Sequence, residues 1–135
     1  MIILGLYIGH NASACIIKDG ELLINWELER YTRVKHDFGY NAKFIEKTLE
    51  HCGLTWLDVD IVASNNPTTI TQWREKNNME NPPFLIPPTG GVEYKEFPIS
   101  KYTKGIAVNH HLAHIASAYY TSPYNSSRAI SWDGG

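Results

Sequence analysis

The sequence predicts an α/β domain whose mixed sheet opens with an antiparallel meander, with helices packed on the sheet. Three observations predict it. The apolar, partly β-branched run Ile2 to Ile8 reads as a buried strand that stops at Gly9. Asp19-Gly20 is a tight-hairpin pair set between the apolar segments Ala14 to Lys18 and Glu21 to Glu29. Phe44, Ile45, Thr48, Leu49 and Cys52 recur at helical spacing on one face.

Each element carries its own signal. Between Glu21 and Glu29, the residues Leu22, Ile24, Trp26 and Leu28 alternate with mostly polar neighbours, which predicts a strand with one apolar face. The charged stretch Glu29 to Asp37 then reads as a solvated loop. Asn41 is the expected N-cap of the helix and Gly53 its stop. Val59 to Ala63 is a short strand. Residues 65 to 104 hold six of the seven prolines, together with Gly90-Gly91, and predict an irregular segment apart from a short helix near Thr69 to Lys76. A segment of that kind suits a lid, a binding loop or a linker. Ile106 to Val108 is the next strand. His110 to Tyr120 is a helix that stops before Ser122-Pro123. Ala129 to Trp132 reads as a last strand, with Trp26 and Trp132 expected in the core.

Composition narrows the function classes. The chain has 135 residues, 43% of them hydrophobic and 19% charged, which suits a packed core. Twelve basic residues against 14 acidic ones give a net charge of −2, so the basic footprint of a nucleic-acid binder is missing. No apolar run reaches the roughly 20 residues that span a bilayer. Met1-Ile2-Ile3 lacks the basic start of a secretory leader, and a cytoplasmic location is expected. Cys15 and Cys52 read as free, buried thiols.

Three clusters could carry chemistry. In Asn109-His110-His111-Leu112-Ala113-His114, His110 and His114 lie one helical turn apart on one face, close enough to bind one metal. A carboxylate would complete a site for zinc or iron, and Asp133 after the last expected strand is the candidate. The plainer reading is three half-exposed histidines at a helix start. Gly9-His10-Asn11-Ala12-Ser13 follows a buried strand. Its backbone N–H groups, with Asn11 and Ser13, suit an anion, and His10 suits a general base. A polar turn would look the same. Arg30, Arg33, Lys35 and His36 could hold a phosphate or carboxylate, or could simply be neutralised by Glu27, Glu29 and Asp37.

Four motifs in order carry a resemblance: ILGLYIGHNASACIIKDGELL, ELERYTRVKHD, NHHLAHIASAYYTSPY and AISWDGG. Together they resemble the carbamoyltransferases of antibiotic and nodulation-factor biosynthesis, which include the nodulation protein U type and the aminoglycoside and cephalosporin O-carbamoyltransferases. The resemblance implies a sugar-kinase/actin-like fold, of which residues 1–135 would be the N-terminal half. It implies a longer protein with a second domain that makes carbamoyl-adenylate from carbamoyl phosphate and ATP, and transfer to a hydroxyl of a small-molecule or sugar acceptor. It also implies a divalent metal, iron or zinc, on His110, His114 and Asp133. His10 becomes an acid/base or substrate-orienting residue. Asn11, Ser13, Arg30, Arg33, Lys35 and His36 become parts of the substrate and nucleotide site. The family pattern usually continues past Asp-Gly with Gly-Glu, whereas this sequence stops at Gly135. A further metal-binding Asp, the nucleotide-binding half and the carbamoyl-phosphate domain lie outside it, so these residues alone are expected to be catalytically incompetent. No nucleic-acid or membrane partner is expected. The competing expectation is a metal- or nucleotide-binding module of the same fold without transfer activity.

Overall fold

The structure is a computed structural model that describes residues 1–65, 84 and 86–132. Among these residues the elements run β1 (Ile2–Tyr7), β2 (Ser13–Lys18), β3 (Glu21–Glu27), α1 (Leu28–Thr32), α2 (Ala42–His51), a 3-10 turn at Trp56–Asp58, β4 (Ile61–Ser64), β5 (Tyr94–Pro98), β6 (Lys104–Val108) and α3 (His110–Tyr120). The strands form one mixed sheet in the order β3-β2-β1-β4-β6-β5. The expected α/β class and the opening antiparallel meander are both present.

The meander is set by its turn. Asp19 and Gly20 both take positive φ, 51° and 90°, as a two-residue hairpin with right-handed strand twist requires. β1 pairs antiparallel with β2, and β2 with β3. β1, β4 and β6 then run parallel, with Leu6, Ser64 and Ala107 in one row. Such neighbours need crossovers, and α2 lies on the connection that leads from the meander back to β4 beside β1.

The core lies on one face of the sheet. Leu4, Leu6, Ala14, Ile16, Val62 and Ala107 are buried there, together with Phe44, Ile45, Thr48 and Leu49 of α2. Period-2 alternation in the strands meets the 3.6-residue stripe of the helix. The Asn41 side chain accepts from Phe44 N at 2.9 Å and starts α2 as expected. Buried Thr48 costs little, because its hydroxyl donates to the Phe44 carbonyl at 2.8 Å. Phe44 packs between Trp26 and Tyr31, with ring centroids 5.9 and 5.8 Å away.

Several expectations are corrected. The apolar alternation of residues 21–29 does not hold throughout. The β2–β3 register shifts at Ile16/Ile17, so Ile24 pairs with Ile16 but Leu22 pairs with Ile17, and Leu22 is 56% exposed. The strand ends at Glu27. Leu28 to Thr32 turn into a helix because Leu28 drops into the core, fully buried, rather than continuing an edge strand. The segment expected to be irregular contains β5, which pairs antiparallel with β6 and buries Phe97 beside Phe84. Residues 129–132 form no strand, and Trp132 is 91% exposed rather than in the core. Half-buried Trp26 does pack against the core. The helices were expected to pack on the sheet, but α3 has no buried residue. The short helix near Thr69 to Lys76 lies outside the described residues. No helix among the described residues is long and apolar enough to cross a membrane.

Candidate functional site

The parallel strands decide where chemistry can gather. β1, β4 and β6 are neighbours, so their carboxyl ends open at the same edge of the sheet. Ligand crevices in open α/β sheets form outside such ends. Here the three ends deliver the turn Ile8 to Ala12, the side chain of Asn65 and the start of α3. Between them lies a cleft of about 520 Å3 lined by Tyr7, His10, Asn11, Ser13, Asn65, His110, Ala113, His114 and Ser117.

α3 projects its histidines by cap and period. Asn109 leaves β6 and accepts from His111 N at 3.0 Å and Leu112 N at 3.3 Å, which starts the helix one residue before His110. One turn later His114 stands beside His110, with ring centroids 4.5 Å apart. Their Nε2 atoms are 3.1 Å apart. Two imidazoles on one zinc-sized cation, with bonds of about 2.0–2.1 Å, would put their nitrogens roughly 2.9–3.4 Å apart. The pair therefore fits one cation. His111 points away and contacts Ser131 Oγ at 2.9 Å through its Nδ1. Asp133 lies outside the described residues. Among the described residues no group of three or more His, Cys, Asp or Glu side chains is placed to hold a metal ion.

The first turn is braced from below. Tyr7 folds back over Gly9, where any Cβ would strike its ring and hydroxyl, and its ring stands edge-on to His10 at 6.0 Å. His10 is exposed to the cleft. The turn is pinned to residues 37–39 by Ala12 N to Asp37 O at 3.0 Å, by Gly39 N to Ile8 O at 3.1 Å, and by a bridge between His10 and Phe38. Asn11, at φ 59°, faces His36 at φ 57°, with Oδ1 3.1 Å from its Nδ1. The His36 N–H donates to Glu29 Oε2 at 2.9 Å. That hydrogen bond, helped by Arg30, Lys35 and His36, holds the Glu29 carboxyl below its ordinary range.

The basic cluster does not converge on the cleft. His36 reaches the rim through Asn11. Arg30 is paired with Glu27 at 3.4 Å and Glu29 at 3.7 Å, and neither Arg33 nor Lys35 lines the cleft. Asn11 and Ser13 do line it, beside His10. Sequence reasoning missed Tyr7, Asn65 and Ser117. Asn65 had a legible signal, since a polar residue directly after a short buried strand stands where the crevice opens. Cys15 faces a neighbouring hollow. Burial pushes its thiol up, which keeps it protonated and a poor nucleophile.

The chain is similar to known proteins along nearly its whole length. An uncharacterized protein, sll1178, of Synechocystis sp. (strain ATCC 27184 / PCC 6803 / Kazusa) is 24% identical over 146 residues, covering 93% of this chain and 24% of that protein. Nodulation protein NolNO of Sinorhizobium fredii (strain NBRC 101917 / NGR234) is 26% identical over 133 residues, covering 93% of this chain and 20% of that protein. The chain thus spans about a quarter or less of the length of these relatives. A family model described as carbamoyltransferase N-terminus matches residues 2–135. The strand-end cleft, with its histidine pair and His10 turn, is therefore carried by a chain that belongs to the carbamoyltransferase family and comprises its N-terminal region.

Proposed function

We propose that this chain is the N-terminal region of an enzyme that transfers a carbamoyl group to a hydroxyl of a small-molecule or sugar acceptor. The donor is carbamoyl-adenylate, made from carbamoyl phosphate and ATP in a part of the longer protein beyond these residues. The observation that carries the reading is the meeting of His10 with His110 and His114 in one cleft of a carbamoyltransferase-family chain. The antiparallel β1–β2–β3 unit, continued by parallel β4 and β6, supports a sugar-kinase/actin-like fold.

The chemistry asks little of the protein beyond order and a base. Carbamoyl-adenylate has a good leaving group, so the acceptor must be aligned with its carbonyl carbon and deprotonated. His10 takes the hydroxyl proton as the acceptor oxygen bonds to the carbamoyl carbon. The bond from that carbon to the phosphate oxygen breaks, and AMP leaves with the electron pair. Asn11 and Ser13 offer hydrogen bonds to an oxygen-rich substrate at the same turn. His110 and His114 would hold a divalent metal, iron or zinc, and Asp133 would be the further ligand that the family resemblance implies. When bound, that ion supplies Lewis-acid polarisation of a carbonyl or phosphate oxygen.

The test uses the full-length protein with carbamoyl phosphate, ATP and a panel of hydroxyl acceptors: an aminoglycoside, a hydroxymethyl cephem and a chito-oligosaccharide. Mass spectrometry should find a carbamoylated acceptor. His10→Ala should lower kcat by about 100- to 10,000-fold. If neither carbamoylated acceptor nor carbamoyl-adenylate forms, the proposal fails and a non-transferring binding module replaces it.

A further inference from the structure

Asn65 lines the cleft beside the histidine pair. It follows the last residue of β4, one position beyond the row of Leu6, Ser64 and Ala107. Its Nδ2 lies 2.8 Å from Nδ1 of His110. Across the same ring, His110 Nε2 lies 3.1 Å from His114 Nε2. A neutral imidazole has one donor and one acceptor nitrogen, whereas an amide nitrogen only donates. An NH2 group facing Nδ1 makes Nδ1 the acceptor. The ring proton of His110 then sits on Nε2 and is directed at His114, whose Nε2 accepts it. Within these two contacts, a neutral His110 accepts from Asn65 and donates to His114.

That arrangement opposes cation binding, because a proton occupies one of the two convergent lone pairs. We propose that Asn65 is a positioning residue that sets the tautomer of His110. With its NH2 toward Nδ1, it holds the pair closed on a shared hydrogen bond. With the amide turned through half a rotation, its carbonyl accepts an Nδ1–H and both Nε2 lone pairs converge on the cleft. The amide torsion is broad and roughly two-fold, so this turn needs no backbone movement. A histidine that ligates a metal usually donates its other ring N–H to a carbonyl or carboxylate, and losing that partner typically costs 10- to 100-fold in affinity. The inference rests on the reading of His110 and His114 as a metal pair, but the tautomer can be read without metal.

The test compares the full chain with Asn65→Ala and Asn65→Asp, 15N-labelled at histidine. Side-chain nitrogen NMR at pH 8 reads each tautomer in metal-free protein, and a cobalt(II) titration followed by its visible bands reads affinity. A carboxylate can only accept, so Asn65→Asp should move the His110 proton from Nε2 to Nδ1. Asn65→Asp should also bind cobalt about 10- to 100-fold more tightly than Asn65→Ala. The same His110 tautomer in all three proteins, or equal cobalt affinity in the two variants, would overturn the proposal. If none of the three takes up cobalt, the metal reading falls, while the tautomer comparison still decides the role of Asn65.

Discussion

Helices α2 and α3 have ten and eleven residues, and each begins at an asparagine whose side chain accepts backbone N–H groups of the first turn. Beyond their caps they diverge. α2 buries Phe44, Ile45, Thr48 and Leu49 against the sheet. α3 buries no residue and presents His110 and His114 to a cleft. The difference teaches that capping and spacing make a helix, but only its packing partner makes it a structural one. α2 gains from apolar area removed from water, whereas α3 is started by the Asn109 cap after β6 and lines the open cleft.

The largest effects should break that contrast at the core. Leu49→Ala leaves a cavity under the sheet and should lose about 2–5 kcal/mol in chemical denaturation. Ile115→Ala in half-exposed α3 should lose about 1 kcal/mol or less. Equal losses would mean that α3 is as structural as α2. The reverse asymmetry is expected for ligand. The His110→Ala/His114→Ala double variant should abolish stoichiometric uptake of iron or zinc, while its denaturation midpoint stays within about 0.5 kcal/mol of the parent. Undiminished uptake would remove these side chains from the metal site.

Caps give a smaller and sharper comparison. Asn41→Ala should cost about 0.5–2 kcal/mol globally. Asn109→Ala should instead fray α3 locally, seen as faster amide exchange at His111 and Leu112 without an equal global loss. The smallest effect is one of pH. The Glu29 carboxyl is held below its ordinary value of 4.5 by the His36 N–H. A depressed folded-state value means that its contribution is complete above pH 4.5 and fades as pH falls through the folded value. Protection of the His36 amide should fade in that acid window while α2 amides remain protected.

Much of the fold was legible because short-range rules decide it. The Asp19-Gly20 turn, the Asn41 cap and the stripe from Phe44 to Leu49 each act over a few residues and read directly. The misreadings came from partners far along the chain. β5 forms because β6 offers it an edge, although its own segment is rich in proline and glycine. Leu22 leaves the apolar face because a register shift against β2 turns it. Residues 129–132 form no strand because none of the described strands pairs with them.

The site divides in the same way. The spacing of His110 and His114, and the glycine turn that carries His10, are local and were determined by sequence alone. The meeting of the two was decided by β1, β4 and β6 running parallel side by side, which brings Gly9 and Asn109 to one edge across a separation of 100 residues. The same topology brought in Asn65 and left Arg33 and Lys35 outside the cleft. Periodicity and caps depend on near neighbours and survive in the sequence, whereas a crevice is a product of strand order, which only the folded sheet specifies.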